Sequence, residues 1–266
     1  MQSNAKLTVG IMIGVALLTL VTFLVPVSAS MATTPGLFHW SLAATTAQAS
    51  AYIGAAVLLV LGMQVYKAKL KAAYTAIAVS IVITALGTIQ LPLIDIFELS
   101  ESPLVKGGII VLPFVLSGLL AYFGARGFAR LVGVRSLFSH GSLVVPGVVV
   151  VVAASTLLPH GAIGIDEITY DVSNGILLWS GLLYGSAAVV AWQAWRHTGE
   201  HYKPATLWLV MGLGLATAII VVSFAHNLLI SATQDPNLSA LLNTFGIGCA
   251  LSYIGAASEF MKTKEY

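Results

Sequence analysis

The sequence predicts an all-α polytopic transmembrane bundle of eight spans, with both termini cytoplasmic. Three observations carry that reading: the composition, a series of long apolar blocks, and the side on which the basic residues fall. Of 266 residues, 58% are hydrophobic and only 8% are charged, against roughly 25% charged in an average soluble domain. A soluble fold of this length would need far more polar surface to face water. The same composition excludes disorder, which needs few apolar residues and much charge.

The first block, residues 7–29, follows Lys6 and ends in Val27-Ser28-Ala29, a small-residue pattern like a signal-peptidase site. Its apolar run exceeds the roughly 7–15 residues of a cleaved signal. An uncleaved helix is therefore expected, with seven spans and an outside N-terminus as the fallback. The second block, 42–66, follows a loop holding His39 and Trp40 and leads into a turn with Lys67, Lys69 and Lys71. The third, 72–94, runs into QLPLIDIFELSES, where Pro92 is expected to kink or end it. The fourth, 104–122, contains Pro113 and leads into GARGFARLVGVR.

The fifth block, 143–158, is short and β-branched, and by periodicity alone it would pass for a strand. In lipid a lone strand leaves its backbone unpaired at several kcal/mol per group, so a helix is expected. An acidic loop, PHGAIGIDEITYDVSN, follows. Blocks six (176–195) and seven (205–230) form a helical hairpin across the turn RHTGEHYK, and block eight spans 238–260. Most of these blocks approach or exceed the about 20 residues that cross a hydrocarbon core.

Counting charges orients the chain. With eight crossings and a cytoplasmic N-terminus, Lys6, Lys67, Lys69, Lys71, Arg126, Arg130, Arg135, Arg196, Lys203, Lys262 and Lys264 all fall inside. Only Lys106 falls outside, among Asp95, Glu98, Glu101, Asp166, Glu167, Asp171 and Asp235. Basic residues in short loops resist translocation, and losing one crossing would scatter them over both faces. The expected location is a cell membrane, multi-pass. A faint echo, MQVYK at Met63–Lys67 against WQAWR at Trp192–Arg196, raises a parallel repeat of four plus four spans. The plainer explanation is that inner membrane edges favour an aromatic followed by a cation.

Few residues could carry chemistry. Basic residues form no broad patch, so no nucleic-acid partner is expected. Cys249 is the only cysteine and reads as a small buried hydrophobe. Gly10-x3-Gly14 and Gly181-x3-Gly185 allow close helix approach. Trp40, Trp179, Trp195 and Trp208 lie near expected interfaces as anchors. Glu259 stands three residues before Lys262, placed for a helical ion pair.

Ionisable groups at depth are expensive in lipid and need a reason. His226 is the exception here, roughly 8 Å below the outer end of block seven at 1.5 Å per residue. His39 and His160 are predicted at the same face. His226 with His160 or His39 could ligate a metal ion or the axial positions of haem b, with Asn227, Asp95 or Asp166 as outer hydrogen-bond partners. The plainer reading is a lone histidine bonded to Asn or to a backbone carbonyl. A Ser186–His226 dyad fails on depth, since the serine lies about 18 Å down its helix. No phosphate loop, nucleophile elbow or zincin motif is present.

The leading expectation is a non-enzymatic membrane protein with an outward-facing polar pocket of His39, Asp95, His160, Asp166, His226 and Asn227. It would act as a ligand-sensing module or as an accessory subunit of a membrane complex. A haem b or metal-binding electron-transfer anchor and a small-solute transporter are the alternatives. The expected partners are the bilayer and other membrane subunits or further copies of the chain.

Overall fold

The computed structural model describes residues 35–63, 68–96, 111–134, 165–229 and 236–262, with Gly10, Ile13, Gly14 and Leu17 standing apart from them. Six long helices account for nearly all of it: α1 (Pro35–Met63), α2 (Ala68–Ile96), α3 (Val111–Leu131), α4 (Ile165–His197), α5 (Lys203–Leu229) and α6 (Pro236–Lys262). Each contains a stretch long and apolar enough to cross a membrane. No strand occurs among the described residues. Block five, His160 and all but four positions of block one lie outside the described residues.

Local chemistry explains where these helices begin and end. α1 and α6 open on prolines, Pro35 and Pro236, whose fixed φ and missing N–H suit the first turn. Pro113 sits at the third position of α3, where the N–H has no intrahelical partner to lose. α4 begins at Ile165. The sequence reading differs here: His39, Trp40 and the acidic stretch from Asp166 to Asp171 were expected in loops and are helical. Pro92 lies inside α2, which continues to Ile96. α3 ends in a Schellman turn, with Gly133 at φ 78°. Its N–H donates to Arg130 O and that of Val134 to Ala129 O at 2.9 Å.

The helices close into a ring. Each packs on its neighbour in the chain, α3 packs on α4, and α6 returns to pack on α1. Contacts along α2 and α3 run in opposite senses, from Gly87 over Phe114 to Gly127 over Ala73. α5 and α6 are likewise antiparallel, from Leu215 on Gly248 to Trp208 on Gly255. α1 and α6 run parallel, with Gln48 on Gly246 and Gly62 on Met261. The directions around the ring are therefore down, up, down for α1–α3, and the same again for α4–α6.

The ring is inverted relative to a water-soluble bundle. Its interior is small and hydroxylated, with Ala55, Ala125, Ala187, Ala257 and Ser117 fully buried. Its outer wall carries Leu86, Val60, Leu116 and Leu112, the last 63% exposed. Leucine facing outward carries no penalty where the surroundings are hydrocarbon, and small residues inside let helices approach. Gly181 and Gly185 do this at the α4–α5 seam, facing Ile220 and Thr217. Every described lysine and arginine lies near one end of the ring: Lys69 and Lys71, Arg126 and Arg130, Arg196, Lys203 and Lys262. There Lys262 pairs with Glu259 at 2.5 Å, and Arg196 lies 4.5 Å over the Trp192 ring.

A constant spacing relates the two halves. Ser117 Oγ donates to Ser80 O in the first, and Cys249 Sγ donates to Gly212 O in the second. Both donor and acceptor are displaced by 132 residues. At the same spacing Ile81 and Leu213, Ala125 and Ala257, and Tyr52 and Tyr184 are all buried. Phe128 and Phe260, also 132 apart in the sequence, meet at the centre with ring centroids 6.2 Å apart. This register differs by three residues from the MQVYK–WQAWR echo, because packed faces rather than interfacial aromatics set it. It aligns YIGAAV at Tyr52 with YGSAAV at Tyr184.

Candidate functional site: a cavity between the two halves

Small residues and hydroxyls crowd the interior, yet they do not fill it. A cavity of about 280 Å³ lies between the halves, in the part of the ring away from the basic residues. All six helices line it. α1 contributes Thr45, Gln48 and Tyr52, and α2 contributes Thr84 and Thr88. Phe114 of α3, Leu177 and Tyr184 of α4, and Ala216, Ile219, Ile220 and Ser223 of α5 complete most of the wall. Leu242 and Asn243 of α6 close it. No charged side chain is among the described lining residues.

The two tyrosines form its deep end, Tyr52 lying roughly 10 Å further along α1 than Thr45 at 1.5 Å per residue. Below them the ring is packed shut. Tyr74 meets Phe260 edge-on at 4.5 Å and Phe128 at 6.5 Å, an arrangement aromatic rings prefer.

Four hydroxyls on three helices join beside Tyr184. Ser80 Oγ and Ser117 Oγ lie 2.9 Å apart, and each reaches the other residue's carbonyl, at 2.8 and 2.7 Å. Thr84 Oγ1 is 2.6 Å from Ser117 Oγ and 2.9 Å from Tyr184 OH. Ser117 Oγ and Tyr184 OH are 2.5 Å apart. Each hydroxyl has one proton to give and two lone pairs, so all four protons find acceptors inside this network. Thr88 Oγ1 donates back to Thr84 O at 2.8 Å and Ser223 Oγ to Ile219 O at 2.8 Å. What these threonine and serine hydroxyls have left to offer the cavity is acceptor capacity.

The surroundings of Tyr52, the counterpart of Tyr184, are built differently. Tyr52 has Gln48 and Cys249 as its polar neighbours, and its ring lies 6.1 Å from that of Tyr253. Gln48 lies directly over Gly246, where a Cβ would overlap its amide group. A side chain at position 246 would therefore require the Gln48 amide to move aside.

Of the residues singled out from sequence, His39 lies early in α1, Asp95 late in α2, Asp166 at the start of α4, and His226 and Asn227 late in α5. These are helix ends on the cavity's side of the ring, away from the cations. Their side chains lie outside the described residues, as does His160 entirely, and the described cavity wall is made of none of them. No cluster of three His, Cys, Asp or Glu side chains occurs among the described residues.

Sequence reasoning missed the lining hydroxyls. Ser80, Thr84 and Thr88 recur every four residues and so mark one face of α2. That stripe was legible. By itself it does not mark a site, because Ser and Thr in apolar helices commonly bond their own turn. Ser117 and Tyr184 gave no local signal, since their significance is their meeting with α2.

No protein-family profile, curated protein or solved structure matches the chain. Fold and site together define a class: an all-helical chain, apolar enough to be membrane-embedded, with an uncharged central cavity.

Proposed function

We propose that this protein is a non-enzymatic membrane module that binds a small uncharged ligand in the central cavity. It would work as a ligand-sensing unit or as an accessory subunit of a larger membrane complex. The proposal includes the eight-span topology in a cell membrane with cytoplasmic termini. His39, Asp95, His160, Asp166, His226 and Asn227 would then ring the outer approach to the cavity. The observation that carries the reading is a cavity of about 280 Å³ walled by all six helices, with hydroxyl and amide groups set in apolar surface. Ligand pockets have this character, largely apolar with a few placed polar groups. An ionised ligand would meet no countercharge among the described lining, and burying it unpaired would be costly.

Ala216→Phe tests this, because Ala216 lines the cavity on α5 and the added ring has that space to enter. The variant is expected to cost no more than about 1–3 kcal/mol, as overpacking does, and to purify folded. Small molecules extracted from the purified protein should include a species present with the wild type and depleted in the variant. Identical extracts at equal stoichiometry would sink the reading.

The correspondence of the two halves favours a transporter as the second reading, since parallel repeats flank central substrate sites in several carriers. The packing of Tyr74, Phe128 and Phe260 beneath the cavity opposes a through path. Solute accumulation in proteoliposomes that Ala216→Phe abolishes would put the transporter first.

A further inference from the structure

The 132-residue spacing does more than relate helices, because it also pairs residues across the cavity wall. Thr45 corresponds to Leu177, Thr84 to Ala216 and Thr88 to Ile220, and all six line the cavity. At each of these three pairs the first half presents a hydroxyl and the second presents hydrocarbon, whereas the fourth lining pair, Tyr52 and Tyr184, carries a hydroxyl in both. The same division holds just behind the wall. Ser80 and Ser117 of the first half stand where the second has Gly212 and Cys249, so two mutual serine–carbonyl bonds in the first correspond to a single thiol–carbonyl bond in the second. The second half's own polar lining groups are Tyr184, whose OH is bonded to Thr84 and Ser117, Ser223, whose hydroxyl donates to Ile219 O, and Asn243, which lies level with Thr45.

We propose that two three-helix units of common origin have diverged into a two-faced site, which takes an uncharged amphiphile bearing a hydroxyl group. This rests on the ligand-binding reading above and gives it a substrate class and an orientation. The O–H of the ligand donates to the threonine face, and its hydrocarbon lies against Leu177, Ala216 and Ile220. A ligand donor suits Thr84 and Thr88, whose protons are already committed. Thr84 Oγ1 reaches Ser80 O at 3.0 Å and Thr88 Oγ1 reaches Thr84 O at 2.8 Å. An ether or ester oxygen of the same shape would face the lone pairs of Thr84 and Thr88 with nothing to give. The opposite wall rewards chain methylenes by contact at Leu177, Ala216 and Ile220.

The test uses the full-length protein in lipid nanodiscs and a photoreactive octan-1-ol with a diazirine at its methyl-terminal end. Saturable labelling is expected, competed by octan-1-ol, with adducts at Leu177 and along residues 215–220. Octyl methyl ether should compete about fivefold more weakly, the equivalent of one neutral hydrogen bond of ~1 kcal/mol. Thr45→Val with Thr88→Val should bring the two competitors level, whereas Thr88→Ser should keep them apart. Saturable labelling that Ala216→Phe abolishes, but with adducts on residues 84–88 or with equal competitors, overturns the two-faced assignment alone. Absence of any saturable labelling overturns it together with the ligand-binding reading.

Discussion

Gly124→Ala is expected to destabilise the bundle by about 3 kcal/mol, the upper part of the range for overpacking. A Cβ at this position would lie 2.5 Å from Ile77 Cγ1 and 2.9 Å from the carbonyl oxygen of Ala73. The side chain could rotate away, but the carbonyl belongs to the backbone of α2. Relief therefore requires α2 and α3 to separate, which would stretch the Ser80–Ser117 contacts two turns further along. Gly214→Ala is the internal control. Nothing lies within 4 Å of a Cβ there, so the better helix propensity of alanine should leave stability unchanged or raised by up to about 1 kcal/mol. Thermal unfolding of both variants in one detergent decides the matter. Equal shifts for the two alanines would show that the α2–α3 approach is looser than these distances require.

Ser117→Ala should cost about 2 kcal/mol. Hydrogen bonds between membrane helices average only ~0.6 kcal/mol and reach ~1.7 at most, so a single lost bond would be hard to detect. Ser117 is not a single bond: its hydroxyl is fully buried and lies within 2.9 Å of Ser80, Thr84 and Tyr184. Removing it takes away its bond to Ser80 O and its contacts with three hydroxyls at once, while Ser80, Thr84 and Tyr184 each keep one partner, so the cost is that of about three membrane hydrogen bonds together. Ser117→Cys should lose less than half as much, because Cys249 at the corresponding position already makes a thiol–carbonyl bond to Gly212. Cys249→Ala removes a weak donor to Gly212 O and a polar neighbour of Tyr52 and Tyr253, and should cost about 1 kcal/mol, less than Ser117→Ala. If Ser117→Ala proved as mild as Cys249→Ala, the four-hydroxyl network would not be a cooperative unit.

The two variants also separate what the chain discloses locally from what it does not. Gly181-x3-Gly185 was readable as a close-approach surface, and both glycines lie against α5. Gly124 was not readable in that way, since its neighbours Ala73 and Ile77 are some fifty residues away. The expectation for Glu259 and Lys262 was local too, a pair one turn apart on one helix, and the two are joined at 2.5 Å. The site was sought among histidines and carboxylates because charge is expensive in lipid and so attracts notice. The described cavity wall uses hydroxyls, amides and tyrosines instead, which are inexpensive in apolar helices and therefore inconspicuous.

By itself the sequence determined that the chain is helical and apolar enough for lipid, and that its described cations gather at one end of each hairpin. Those properties add up residue by residue: a helix satisfies its own backbone, and transfer from water depends on composition within about twenty positions. Tertiary structure alone decided that residues 80, 84, 117 and 184 share protons, and that positions 132 apart face each other across a cavity. Hydrogen bonds and shape complementarity act only over a few ångströms, so these groups acquire meaning once three separate helices have brought them together.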